Sequence, residues 1–274
     1  MSSFRPVSLI TGASFGIGAE FARLFATHGH ETVLVSRNEA RLNAVADGIA
    51  AEGASRPHVI PMDLSRLDSG ARLAADLASR GLEPRFVVNN AGFGLVGAAD
   101  ELERAEQLEL VDLNVRTLTD LSLRWLVPMR ASKGGVLNVA SVAGFMSGPG
   151  MGVYYASKAY VVSFTEALHY EMKSHGVRVT VVCPGPVQTG FQARANLKEM
   201  PVATLLEVSP AKVARLGYKG LMAGRRMVVP GIGNKMVVFL MSRLMPRGPS
   251  LYFTDSRQRM RREPGPPQWL KKGR

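Results

Sequence analysis

The chain has 274 residues, 46% of them hydrophobic, with one cysteine and a formal net charge of +12. Its length gives room for one large domain with a full core, the single Cys183 excludes an internal disulfide, and no apolar run approaches the roughly 18–20 residues of a membrane-crossing helix. The charge is uneven: residues 1–211 hold 19 Lys+Arg against 20 Asp+Glu, while residues 212–274 hold 15 against only Asp255 and Glu263, so a near-neutral body carries a basic extension.

Pro6 to Thr11 reads as a buried strand. The N-terminus runs almost directly into it, so no secretory leader is expected. Ile17 to His28 is a helix opened by glycines, Thr32 to Ser36 a second strand, and Glu39 to Glu52 a second helix. His58 to Pro61, Ser69 to Ser79 and Phe86 to Asn89 continue the alternation as strand, helix and strand. Helical patterns cover roughly Asp100 to Ala131, then strand Gly135 to Ala140, helix Met151 to Ser174 and strand Val177 to Cys183 follow. Short apolar strands alternating with amphipathic helices predict a parallel sheet covered on both faces. Right-handed crossovers make it an α/β, doubly wound, Rossmann-type sheet. Beyond Pro184 the pattern loosens. Gln188 to Glu207 reads as an irregular insertion, Pro210 to Ala223 as a helix, Arg226 to Pro230 as a seventh strand and Lys235 to Met245 as a short apolar helix. The expected organisation is one domain over residues 1–231, with a basic, partly apolar extension over 232–274.

Several positions in this frame carry chemistry. Thr11-Gly12-Ala13-Ser14-Phe15-Gly16-Ile17-Gly18 links the first strand to the first helix. Gly12 permits a tight turn, Gly16 a close approach of backbone to phosphate, and Gly18 close helix packing. The helix N-terminus then offers unpaired N–H groups to a pyrophosphate. Arg37 ends the second strand, where an acidic residue would bind the ribose hydroxyls of NAD; an Arg there pairs instead with a 2′-phosphate and favours NADP. Asp63 and Leu64 follow the third strand, where the aspartate either accepts from an adenine amino group or caps its own loop. Asn90, Ala91 and Gly92 close the fourth strand at the sheet's ligand-binding edge, although Asn90 can equally brace the sheet. Tyr154 and Lys158 sit four apart in Tyr-Tyr-Ala-Ser-Lys and share a helix face. A phenol with an ordinary pKa of about 10 becomes a usable acid or base if that ammonium lowers it. Cys183 reads as a buried, inert thiol, which fits a reducing cytoplasm. The five histidines show no metal-ligand spacing, so no metal site is expected.

TGASFGIG, NNAG, the Asn of DLNV, the Ser of NVASVAG, YYASK and the PG of CPGPVQTGF occur in an order that resembles the short-chain dehydrogenase/reductase family over residues 5–230. The resemblance implies an NAD(P)-dependent oxidoreductase, commonly a homodimer or homotetramer. It implies that Tyr154 protonates a carbonyl oxygen, Ser141 hydrogen-bonds that oxygen, Lys158 lowers the Tyr154 pKa and binds the nicotinamide ribose, and Asn114 holds a relaying water. It also implies cofactor contacts from Pro184, Gly185, Val187 and Thr189. Tyr155 lacks the family spacing to Lys158, and Phe15 stands where NADP-binding members often carry a basic residue.

Substrate-side loops are expected at Phe93–Val96, Phe145–Gly152 and Gln188–Glu207. Their apolar side chains, with Phe93, Phe145, Met151 and Phe191 as candidate contacts, point to a hydrophobic ketone, aldehyde, acyl or sterol substrate. The basic extension from Lys235 is a candidate for peripheral attachment to an anionic membrane or for packing on the body. Nucleic acid is not expected, because no aromatic interleaving accompanies Arg257 to Arg262. Two other classes remain: a non-catalytic nucleotide-binding redox sensor, and a membrane-surface scaffold.

Overall fold

A computed structural model describes residues 4–187 and 206–244, together with Leu251. Seven strands form one wholly parallel sheet in the order β3-β2-β1-β4-β5-β6-β7. They are β1 (Arg5–Thr11), β2 (Thr32–Ser36), β3 (His58–Pro61), β4 (Leu82–Asn89), β5 (Gly135–Val139), β6 (Arg178–Val182) and β7 (Met227–Val228). Helices α1 (Gly16–Thr27), α2 (Glu39–Ala51) and α8 (Pro210–Met222) cover one face; α3 (Ser69–Ser79), α4 (Arg104–Val111), α5 (Leu118–Arg124), α6 (Leu126–Ser132) and α7 (Gly152–Lys173) cover the other. Successive strand residues feed opposite cores. Leu9 packs with Leu73 and Leu168, whereas Ile10 packs with Phe21 and Phe25, as the two-residue period of a pleated strand requires. The doubly wound sheet expected from the strand–helix rhythm is what the chain forms.

Most boundaries agree with the sequence pattern, and three differ in ways that matter. β4 begins at Leu82 rather than Phe86, with an irregularity opposite Val7 and Ser8; Glu83, Pro84 and Arg85 interrupt the apolar run and hide the strand's first half. The long helical stretch divides, because Asp112–Thr117 winds as a π-helix between α4 and α5. Helix α9 (Ile232–Phe239) starts three residues before Lys235 and runs into a π-helical segment over Leu240–Leu244. The expected insertion after Gln188 lies outside the described residues apart from Leu206 and Glu207. Among the described residues no helix is long and apolar enough to cross a membrane.

Strand order reverses between β1 and β4, which opens a crevice at their carboxyl ends. Polar side chains sew that seam. Thr11 donates its hydroxyl to the Val88 carbonyl (3.3 Å) and accepts from the Asn90 and Ala91 amides (each 3.0 Å). Below it, Asn89 donates to Asn138 (2.9 Å) and Ser122 (3.0 Å), and Asn138 donates to Thr165 (3.0 Å). This chain crosses from β4 through β5 to α7 and fixes the helix that carries Tyr154 and Lys158.

Candidate active site

A cleft of about 890 Å³ runs along the carboxyl edge of the sheet, within the size range of small-molecule and cofactor sites. Gly12, Ser14, Phe15, Gly16 and Ile17 form one wall. Gly12 and Gly16 both have left-handed backbone (φ 65° and 59°), which favours glycine. Gly18 does not line the cleft; a Cβ there would collide with the Gly12 carbonyl oxygen, so it lets the helix close onto the turn. Helix α1 starts at Gly16 with no side-chain cap and no acidic residue in its first turn. Its N-terminal N–H groups are thus left for an anion at the cleft wall. These features fit the pyrophosphate of a dinucleotide.

At one end stand Ser36, Arg37, Asn38, Arg41, Met62, Asp63 and Leu64. Arg37 lies 3.8 Å from Glu109, and both line the cleft. Arg41 adds a second guanidinium that sequence reading passed over; its signal was the Arg37–Arg41 spacing. Asn38 caps α2 by accepting from the Arg41 amide (2.9 Å), which places both arginines around one helix start. Asp63 accepts from the amide (3.0 Å) and hydroxyl (2.8 Å) of Ser65, so it shapes its loop while also facing the cleft. Asn90 both lines the cleft and braces it, donating to the carbonyls of Thr11 and Gly12 (each 3.1 Å). Ala91 and Gly92 line the floor.

At the other end are Ser141, Tyr154, Tyr155 and Lys158, with Pro184, Gly185, Pro186 and Val187 opposite. Ser141 follows β5 and accepts from the Ala143 amide (3.1 Å). Its side chain hydrogen-bonds to Tyr154. Lys158 is buried and donates to the Val139 carbonyl (2.9 Å), with its Nζ 5.9 Å from the Tyr154 ring centroid. Asn114 is fully buried in the π-helical turn. It accepts from the Phe93 amide (3.1 Å) and donates to the Phe93 carbonyl (2.9 Å) and Ser157 (3.2 Å). It does not line the cleft, but a Cβ on Gly92 would sit 2.9 Å from Asn114 Oδ1 and 3.6 Å from Lys158 Nζ. Asn114 and Lys158 therefore meet at Gly92, and Ser141, Tyr154 and Lys158 share the cleft wall.

Electrostatics corrects one expectation. Burial pushes Tyr154 up to about 12, outweighing the opposing effect of the Ser141 hydrogen bond. The ammonium expected to acidify it points instead at Val139. Burial also pulls Lys158 down to about 8. Between about pH 8 and 10.5 the unfolded chain keeps a proton on this lysine that the folded chain has released, so its contribution to stability rises with pH across that window. Measured against Lys158→Met, the wild type should gain about 3 kcal/mol of unfolding free energy between neutral pH and pH 10.5. Urea titrations at both ends read this directly, and a constant difference would mean the ammonium is solvated. Burial likewise raises the Cys183 thiol well above its ordinary value, so it stays a thiol.

The candidate substrate contacts separate. Met151 lines the cleft. Phe93 is 4% exposed and packed in the core beside Leu113 and Trp125, and Phe145 packs toward Cys183 and Val161. Neither ring faces the cleft; a loop phenylalanine reads the same in sequence whether it points to core or to ligand. Thr189 and Phe191 lie outside the described residues. Met146 and Val142 line the wall. Asn234, unremarked in the sequence, abuts Gly185 and holds the Pro184–Val187 loop from behind. Among the described residues there is no cluster of three metal-ligating side chains.

Comparison with known proteins agrees with this geometry. A family model for short chain dehydrogenases matches residues 6–200. Sulfoacetaldehyde reductase 2 of Chromohalobacter salexigens is 33% identical over 188 residues, covering 68% of this chain and 74% of that protein. A short-chain dehydrogenase from Sphingobium yanoikuyae, solved with NADPH, aligns with a TM-score of 0.75 at 28% identity over 88% of this chain and 97% of the other. A 7beta-hydroxysteroid dehydrogenase aligns with a TM-score of 0.82 at 25% identity, over 92% and 97%. Solved structures similar to this chain include complexes with NAD as well as with NADP.

Proposed function

The chain belongs to the short-chain dehydrogenase family, and from that premise we propose that it is an NADP-dependent carbonyl reductase or alcohol dehydrogenase acting on a hydrophobic substrate. The observation that carries this reading is the hydrogen-bonded Ser141–Tyr154 pair facing the cleft beside Lys158. A bound nicotinamide would supply or accept the hydride. Tyr154, protonated at neutral pH, is suited to donate its proton to a carbonyl oxygen in the reductive direction. Ser141, held by the Ala143 amide, can hydrogen-bond the same oxygen as its charge grows. Lys158 keeps a positive group near that end at neutral pH, and Asn114 positions it by packing beside Gly92. The Pro184–Val187 loop, braced by Asn234, sets the angle at which a cofactor faces Tyr154.

The preference for NADP rests on Arg37 and Arg41. An Arg37→Asp variant should bind NADPH roughly 10–100-fold more weakly, as expected when a charge-assisted hydrogen bond is lost, with NADH affinity nearly unchanged. Fluorescence titration of both cofactors measures it, and equal losses would remove the 2′-phosphate assignment.

The hydrophobic substrate class is supported by a second cavity of about 400 Å³ lined by Leu95, Leu102, Leu110, Val153, Met151 and Tyr154. It shares Met151 and Tyr154 with the cleft, so an apolar chain could extend past the reacting carbonyl. The name of the bacterial relative raises a second reading, a small anionic aldehyde. Among the described residues, however, Lys158 is the only charged side chain lining the Tyr154 end. A screen of ketones, aldehydes including sulfoacetaldehyde, acyl thioesters and sterols for NADPH oxidation, repeated with NADH, separates the readings; turnover confined to sulfoacetaldehyde would overturn the hydrophobic class. Exposed Leu108 and Val111 on α4, with Tyr160 and Tyr170 on α7, support a homo-oligomer, which a solution mass equal to one chain would refute.

A further inference from the structure

Helix α9 and the segment that continues it turn two sides to different surroundings. On the inner side Asn234 is buried and donates to the carbonyls of Pro230 (2.9 Å) and Leu206 (3.0 Å). It meets Gly185 so closely that any side chain there would collide with it. The helix also packs on the turn Val142–Phe145. Gly185 and Val142 both line the cleft. On the outer side Ile232, Met236, Phe239 and Leu240 are 79%, 58%, 57% and 40% exposed. Their spacing of i, i+4, i+7 and i+8 makes one continuous stripe. Lys235 and Arg243 are also exposed and lie beside it.

We infer that this stripe docks onto an anionic lipid bilayer and holds the mouth of the cleft at the membrane surface. Single apolar side chains on a surface need no explanation, but four aligned on one helix do. A short helix with an apolar face and basic flanks is suited to lie in the plane of a headgroup layer. The charge favours lipid over a second copy of the chain. From Lys235 to the C-terminus there are ten Lys or Arg and two acidic residues. That excess complements anionic headgroups and opposes another molecule offering the same face. Because α9 leans directly on the Pro184–Val187 loop, a substrate dissolved in lipid would reach the cleft near Tyr154. The docking itself does not depend on the reaction proposed above.

The test is co-sedimentation of the full chain with phosphatidylcholine vesicles made with or without phosphatidylserine. The protein should bind the phosphatidylserine vesicles. The Met236→Ser/Phe239→Ser variant should partition at least about tenfold less, from lost apolar contact. The Lys235→Glu/Arg243→Glu variant should fall at least about thirtyfold at low salt, with the difference shrinking at high salt. Unchanged NADPH affinity in both variants shows that they are folded. The proposal is overturned if the wild type does not bind, if the serine variant binds undiminished, or if that variant instead lowers the solution mass, which would make the stripe a contact between copies. Absent turnover with intact lipid binding would count against the reaction and leave the docking standing.

Discussion

Tyr154→Phe is expected to lower kcat by about 10²–10⁴-fold, the usual worth of a positioned general acid, while NADPH binding stays nearly unchanged. The ring would keep its place beside Tyr155, with centroids 6.1 Å apart and nearly perpendicular; only the proton donor and the partner of Ser141 are lost. Because burial holds the phenol near a pKa of about 12, the wild-type hydroxyl is fully protonated at neutral pH, and the loss should appear in the reductive direction without a shift of pH optimum. Single-turnover mixing with preloaded NADPH isolates the step. Retained turnover would remove Tyr154 from the chemistry. Loss of cofactor binding as well would mean that the ring is structural. A protein that only senses nucleotide would lose neither, so this variant also decides between enzyme and sensor.

Gly18→Ala should abolish measurable cofactor binding, at least about a hundredfold in Kd, and cost about 1–3 kcal/mol of stability through overpacking. The new methyl group would meet the Gly12 carbonyl and approach the Asn90 side chain. Neither neighbour can easily yield. Gly12 is tied to the Val35 carbonyl by its amide (2.8 Å), and Asn90 is bonded to Thr11 and Gly12. The turn would have to open, moving the α1 N-terminus off its anion position. Gly48→Ala is the control: on α2 its added carbon meets nothing nearer than Arg23 at 3.9 Å, so it should raise stability by about 0.5–1 kcal/mol without touching cofactor affinity. Calorimetric titration with NADPH checks both, and normal affinity in Gly18→Ala would mean that the phosphates do not meet this turn.

What the sequence disclosed about this site was local. A glycine turn between strand and helix, or a tyrosine and lysine one helical turn apart, is fixed by residues within a few positions of one another, so Gly12 through Gly18 and Tyr154 with Lys158 could be placed before any coordinates. What stayed hidden depends on distant partners. Asn234 gains its role from Gly185 and Leu206, both far from it in sequence, and only its bond to Pro230 is local. The aim of Phe93 and Phe145 is set by which side of a loop faces the core. The acidity of Tyr154 is a balance between burial and a hydrogen bond, and residue spacing carried only the possible contribution of Lys158. The first half of β4 was masked because Pro84 and two charged residues occupy a stretch whose strand character comes from pairing with β1.

The π-helical turn at Asp112–Thr117 has a consequence for how this chain can change. A wider turn accommodates one residue more than the regular helix would, and each residue of a regular helix advances the face by about 100°. Asn114 reaches Phe93 and Ser157 only within that surplus, while Leu118 and Leu121 beyond it still face the interior. Deleting any one residue there would trade one alignment for the other. The segment is thus locked in length: substitutions can drift along it, but insertions and deletions cannot, and a redesign aimed at a more regular helix would uncouple the asparagine from Phe93 and Ser157.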